Sequence, residues 1–282
     1  MFGPIDANRF AALLAALSPQ TSVESNTANA IRTWINWENA GRPVSRREIM
    51  EIMGRSVEGS KAEVSVLDAW KNNTVRALAS EDPRSSDYLK KRKINPSQFY
   101  YSKQFKSFCN TFKKTFDDIS NDHGRIIIPL FYKNTLIGFQ GRSLDPWMQP
   151  KYLTIMINDD APKIYGLDQI RGGSPVFVTE GPFDSTFLHN SIAMCGADAD
   201  VSSWGISDPV WIYDNEPRSK EITSRIEQTI ASGAKVVIWP TNIYEKDIND
   251  MVLAGHDVQS VVESNVYSGL KAKLQFNTWK RI

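Results

Sequence analysis

The sequence predicts an α/β protein with a central, mostly parallel sheet, preceded by a basic α+β region and an N-terminal helical region. Three observations carry this expectation. Residues 174–264 alternate apolar strand-like runs with helical stretches, as a parallel sheet covered on both faces requires. Residues 79–173 combine two adjacent strand-like runs with a dense group of basic and aromatic side chains. Residues 1–78 read as helical. A chain of 282 residues, 41% hydrophobic and 23% charged, can bury a sizeable core divided over about two domains.

In the N-terminal region, Ala11 to Leu17 is rich in alanine and leucine. Residues 27–39 set Ala30, Ile31, Trp34 and Ile35 near one helical face. Ser45 followed by Glu48 suits a capping box, in which each side chain satisfies a backbone amide of the other's turn. None of these residues carries recognisable chemistry, and a docking or linker module is expected.

Residues 84–116 hold Arg84, Lys90, Lys91, Arg92, Lys93, Lys103, Lys106, Lys113 and Lys114 against the single acid Asp87. Aromatic residues from Tyr88 to Phe116 are interleaved with them. Such a mixture can neutralise phosphates and stack on bases; it is equally the pattern of a solvated basic face over an aromatic core. Arg125–Tyr132 and Thr135–Gly141 read as a hairpin closed by Lys133-Asn134. Residues 144–173, with their prolines and the Gly172-Gly173 pair, read as surface loop.

Strands are expected at Pro175–Thr179, Val210–Tyr213 and Lys235–Trp239, with helices after each. Residues 265–282 carry four basic residues and no acid, and read as a basic helix with a frayed end.

In an open α/β sheet, groups at the carboxyl ends of the strands share one crevice. Glu180 and Asp184 follow the first strand, Asp214 and Glu216 the second, Asp247 and Asp250 the third. So many like charges are unfavourable together unless a cation neutralises them. Hard divalent ions take oxygen ligands and are completed by water and substrate phosphates. Taken singly, Asp184 and Asp247 also suit helix capping, and Glu216 a solvated surface.

Glu180-Gly181-Pro182-Phe183-Asp184, Asp214-Asn215-Glu216 and Lys246-Asp247-Ile248-Asn249-Asp250 resemble, in order, the three acidic signatures of the TOPRIM domain. The second departs from the pattern, with glutamate in place of the usual aspartate. Before them, GRIIIP at 124–129, GFQGR at 138–142, KYL at 151–153 and KIYGL at 163–167 resemble the basic subdomain of bacterial-type DNA primases. The likeness covers residues 80–282 and is strongest to primases of T-even-type tailed phages, through EGPFD, DNEPR, KDINDM and GLKAKLQF.

That resemblance implies Mg²⁺-dependent synthesis of RNA primers on a single-stranded DNA template from ribonucleoside triphosphates, with Mn²⁺ able to substitute. Glu180, Asp184, Asp214 and Glu216 would act in catalysis. Glu180, Asp214, Glu216, Asp247 and Asp250 would hold metal, and Arg125, Arg142, Lys151 and Lys163 would bind phosphate. The alternatives are a TOPRIM nuclease or other metal-dependent phosphotransferase, and a non-catalytic DNA-binding replication subunit.

Cys109, Cys195, His123, His189 and His256 are scattered, so no structural zinc is expected; the zinc-binding module that the resemblance implies would be encoded separately, lost, or replaced by residues 1–78. No Walker A stretch occurs, which makes a separate replicative helicase the expected partner. The absence of an 18-residue apolar run argues against a membrane span, and the residue usage suits a reducing cytoplasm. The net charge of +1 says nothing for or against nucleic acid, because a basic face can offset an acidic pocket.

Overall fold

A computed structural model describes residue 66 and residues 69–73, 76–172, 175–196 and 201–282. The helices expected between 11 and 53 lie outside the described residues. The chain divides into compact units at 1–65 and 66–282. The second unit therefore begins inside the region read as helical: Trp70 is buried in its aromatic core, and Ala77–Leu78 is its first strand.

Strands β1 (Ala77–Leu78), β2 (Tyr100–Ser102), β3 (Arg125–Tyr132), β4 (Thr135–Ser143) and β5 (Tyr152–Met156) form an antiparallel sheet in that spatial order. The β3–β4 hairpin turns at Lys133 and Asn134, both at positive φ, as a two-residue primed turn demands. Its tip is held by the Asp168 carboxylate, which accepts from both turn amides at 2.6 and 2.7 Å. Strand β5 lies within the stretch read as loop. Its proline-rich surroundings mask it in the sequence, while β4 supplies it with five paired positions.

Alternation along β3 and β4 sorts the side chains between two layers. Ile127 and Phe139 join Phe105, Phe108 and Trp70 on the outer face. Ile126, Ile128 and Leu130 face inward and share a core with Phe99, Tyr165, Phe183 and Cys195. The basic–aromatic segment is thereby resolved. Phe99, Phe105 and Phe108 are 0–1% exposed, so of the two readings of this segment these rings follow the one in which they build the core. They pack edge to face, as between Phe108 and Phe139 at 4.8 Å between centroids. Gly141 is required by this layer, because a Cβ there would lie 2.3 Å from the Phe105 ring.

The second sheet runs β11 (Val266–Tyr267), β10 (Lys235–Val237), β9 (Pro209–Trp211), β7 (Val176–Thr179), β8 (Ser191–Met194) and β6 (Ile164–Tyr165). Its four central strands are parallel and its two edges antiparallel. The mixed α/β architecture and mostly parallel sheet agree with the sequence reading. Strands β6, β8 and β11 are additions to it.

Seven α-helices occur among the described residues: α1 (Pro83–Lys91), α2 (Phe105–Asn110), α3 (Pro182–Ser185), α4 (Lys220–Ala231), α5 (Ile248–Ala254), α6 (Val258–Ser264) and α7 (Gly269–Trp279). Helix α4 starts at Ser219, whose hydroxyl caps the Ile222 amide, and buries Ile222, Ile226 and Ile230 on one stripe. Helix α7 lies in the stretch read as a basic helix, and it is packed into the core. Ala272, Phe276 and Trp279 are at most 4% exposed and belong to the same core as α4 and β10. No helix of the described residues is long and apolar enough to cross a membrane.

Candidate active-site cleft

The chain enters the second sheet at its β6 edge, passes to the central strand β7, crosses to β8 on one side, then returns to β9 on the other. That reversal makes the crevice between the carboxyl ends of β7 and β9 the topological switch point, where adjacent connections diverge and leave a gap. Glu180 directly follows β7 and Asp214 follows β9. They meet directly: the Asp214 amide donates to Glu180 Oε2 at 3.1 Å, while Glu180 Oε1 is ion-paired with Arg225 of α4.

Asp184 arrives on α3, which begins with Pro182 at its first turn. The preceding Gly181 leaves room for the carboxylate, since a Cβ there would stand 3.2 Å from Asp184 Oδ2. Phe183 points the other way, into the core shared by the two sheets, with its ring 5.3 Å from Phe99. Asp247 caps α5 through the Asp250 amide at 2.7 Å and also faces the cleft. Asp184 Oδ1 accepts from the Asn249 amide at 3.0 Å, which ties α3 to α5.

These groups line a cavity of about 630 Å³ between the two sheets. Glu180, Asp184, Asp214 and Asp247 form its acidic side; Arg92, Lys151, Lys163 and Lys246 are its basic residues. Burial, and then the neighbouring Asp247, raise the Asp184 carboxyl to about 7. Burial, and then Glu180, raise Asp214 to about 7 as well, although Lys246 lies 3.7 Å away and opposes the shift. Burial lowers the Lys151 ammonium, and Arg142, Arg92 and Lys246 reinforce the effect.

The remaining expected site residues fall elsewhere. Glu216 is 3.3 Å from Lys246 but lines a neighbouring cavity, and Asp250 is exposed on α5 with no place in the cleft wall. Arg125 is 1% exposed and lies on the outer face of β3. Its guanidinium donates to His123 Nε2 and to the carbonyls of Gly141 and Lys151, which makes it a buried structural group rather than a phosphate grip. Arg142 is 6% exposed and sits behind the cleft between Tyr88 and Tyr152, donating to the Tyr88 hydroxyl at 2.8 Å. A strand's two-residue period could have separated these two arginines from each other and from solvent.

Other cleft residues are not singled out in the sequence. Arg92 is one of nine basic residues in a run. The structure singles it out through Asn249, which is 1% exposed, accepts from its guanidinium at 2.7 Å and donates to its carbonyl at 2.7 Å. Lys246 precedes Asp247 within the third motif. Gln140, from the GFQGR stretch, lines the cleft and donates to Thr154 Oγ1 at 3.0 Å. Among the described residues, no three acidic, histidine or cysteine side chains converge as a ready metal cage.

No protein-family model matches the chain. It is homologous to the DNA primase of Enterobacteria phage T4, with 33% identity over 165 residues, which are 56% of this chain and 48% of the relative. The chain thus spans about half the length of the curated relative it matches. Among solved structures, it is similar to the RNA polymerase domain of Mycobacterium tuberculosis primase DnaG at a TM-score of 0.54 and 15% identity, covering 72% of this chain and 83% of that one. The Escherichia coli primase catalytic core aligns at a TM-score of 0.50 and 17% identity, covering 71% and 79%. The described fold is therefore that of primase RNA polymerase domains.

Proposed function

We propose that this chain is the catalytic core of a primase, which joins ribonucleotides on a single-stranded DNA template. The observation that carries the reading is the opposition of charge in one cleft. Four carboxylates gather at a sheet switch point and share one cleft with Arg92, Lys151, Lys163 and Lys246, on a fold shared with primase polymerase domains. Phosphoryl transfer needs this division, because the triphosphate must be neutralised while the reacting oxygens are held in line.

The donor set fits a hard divalent cation such as Mg²⁺. It consists of carboxylate oxygens, and two of them are held near neutrality by burial and mutual repulsion that a cation would relieve. Asp184, Asp214 and Asp247 would hold it, with Glu180 beside them. Bound there, the ion would activate the attacking hydroxyl and stabilise the leaving oxygen. The protein's own part is positional. Arg225 and the Asp214 amide fix the Glu180 carboxylate. Asn249 fixes both Asp184 and Arg92, setting one acidic and one basic group relative to each other. Lys151 and Lys163 offset the triphosphate while the 3′-oxygen bonds to the α-phosphorus and pyrophosphate departs.

A replicative helicase and a separately encoded zinc-binding module are the partners proposed for initiation. The test is a priming assay with labelled ribonucleotides, single-stranded template and Mg²⁺, with and without those partners. Wild type should make short RNA products, while Glu180→Gln and Asp214→Asn should reduce them to background. Products unaffected by either substitution would sink the assignment. Metal-dependent cleavage without incorporation would favour a nuclease, and DNA binding with neither activity a non-catalytic subunit.

A further inference from the structure

The loop Asp214-Asn215-Glu216 has a second side. Behind the acidic cleft it walls another cavity of about 640 Å³, bounded by the loop before α4, the β10–α5 connection and the end of α7. Asn215 clasps these three segments together. Its amide nitrogen donates to the carbonyls of Ile243 and Glu245 at 3.0 Å, and its oxygen accepts from Trp279 Nε1 at 2.9 Å. Its backbone amide donates to the Lys246 carbonyl at 2.6 Å, and the Arg281 amide donates to the Pro217 carbonyl at 2.9 Å. The walls are thus fixed by hydrogen bonds before any ligand arrives.

The lining has a composition that folding does not require. Tyr244 is 85% exposed at the rim, so its ring face is open to a ligand lying in the cavity. Arg218 and Arg281 are exposed on the same cavity, and neither side chain has an ion pair or hydrogen bond among the described residues. The one acid in the lining, Glu216, is already offset by Lys246 at 3.3 Å. Two free guanidiniums beside an exposed aromatic face suit a phosphodiester backbone carrying a base. An acidic peptide would use the guanidiniums and leave the ring without a purpose.

We propose that this second cavity binds single-stranded nucleic acid, with one base stacked on Tyr244 and adjacent phosphates held by Arg218 and Arg281. Asp214 and Glu216 are two residues apart, so their Cα atoms are separated by about 7 Å or less. Asp214 lines the acidic cleft and Glu216 this cavity, so a strand lying in the cleft would pass over the 214–216 loop to reach it. Only that continuity rests on the catalytic reading; binding at the cavity stands apart from it.

The test is fluorescence anisotropy of a short labelled oligothymidylate with the full chain in EDTA, where no transfer occurs. Tyr244→Ala should weaken binding by about 10-fold, with Tyr244→Phe recovering most of the loss. Arg218→Gln combined with Arg281→Gln should lower the slope of log affinity against log salt by about 1.4, since two phosphates are no longer neutralised. Unchanged affinity and slope in these variants overturns the proposal, as does displacement of the oligonucleotide from wild type by polyglutamate at equal charge concentration. If a variant misfolds, photocrosslinking of wild type to a 5-iodouracil oligonucleotide decides: an adduct at Tyr244 supports the site, and adducts only elsewhere reject it. A wild-type chain that crosslinks at Tyr244 yet makes no primer would refute the catalytic reading and leave this one intact.

Discussion

Asp184 and Asp214 are carboxyl groups whose folded environment favours the proton, and the sign of the consequence can be worked out. Their folded values, about 7, lie above the 3.8 of a free aspartate. Their contribution to stability is present below the unfolded value and is lost as pH rises through the folded one. The melting temperature of the metal-free protein should therefore fall between about pH 4 and pH 7 and level off above. Asp214→Asn should flatten that curve and raise the neutral-pH melting point by a few degrees, on the order expected for 1–2 kcal/mol in a domain of this size. Mg²⁺ should raise the wild-type melting point above pH 7 and do much less at pH 5. A melting curve that climbs over this window without metal would contradict the environment described. Asn249 acts through hydrogen bonds rather than charge. Asn249→Ala removes two bonds to Arg92 in a buried setting and should cost about 1–3 kcal/mol in denaturant unfolding. Arg225→Met, which frees the Glu180 carboxylate from its anchor, should lower priming about 10- to 100-fold, as loss of a supporting shell generally does.

At the scale of elements, α7 gives the clearest expectation. Phe276→Ala removes a ring that is 4% exposed in the main core and should cost about 3–5 kcal/mol, read as a lowered midpoint in urea. A midpoint equal to wild type would show that α7 adds nothing to the core. The sequence concealed this role because Lys271, Lys273 and Lys280 dominate its composition, while the three buried positions are spread over two turns. The central strands were legible for the opposite reason: VFVT and KVVI are short β-branched runs buried on both faces. Strand β8, in the sequence SIAM, lacks that signature, and β11 has only two residues. The acidic side of the cleft could be read because its groups recur after successive strands. The basic side could be read only in part: Lys151 and Lys163 stand in the cleft wall, but a lysine or arginine in a run carries no mark of which face it occupies. Arg125 and Arg142 were therefore expected at phosphates and are found inside the protein. Arg92, undistinguished in its run, stands in the cleft.

For the molecule as a whole, the two sheets are joined by one hydrophobic core rather than by a linker, and the cleft is the polar margin of that junction. Residues 66–282 should accordingly unfold in one transition, with tryptophan fluorescence and far-ultraviolet circular dichroism giving coincident midpoints. Separate midpoints would show that the sheets are independent domains. Phe183 and Asp184 sit on this junction as consecutive residues, one in the packed interior and one in the cleft. The distance between the acidic groups is thus gauged by hydrophobic packing, much as the jaws of a caliper are set by its frame. Tolerance to sequence drift should be shared between them. A change of ring size at 183 or 99 shifts the jaw carrying Asp184, so side chains without charge set the spacing of those that have it.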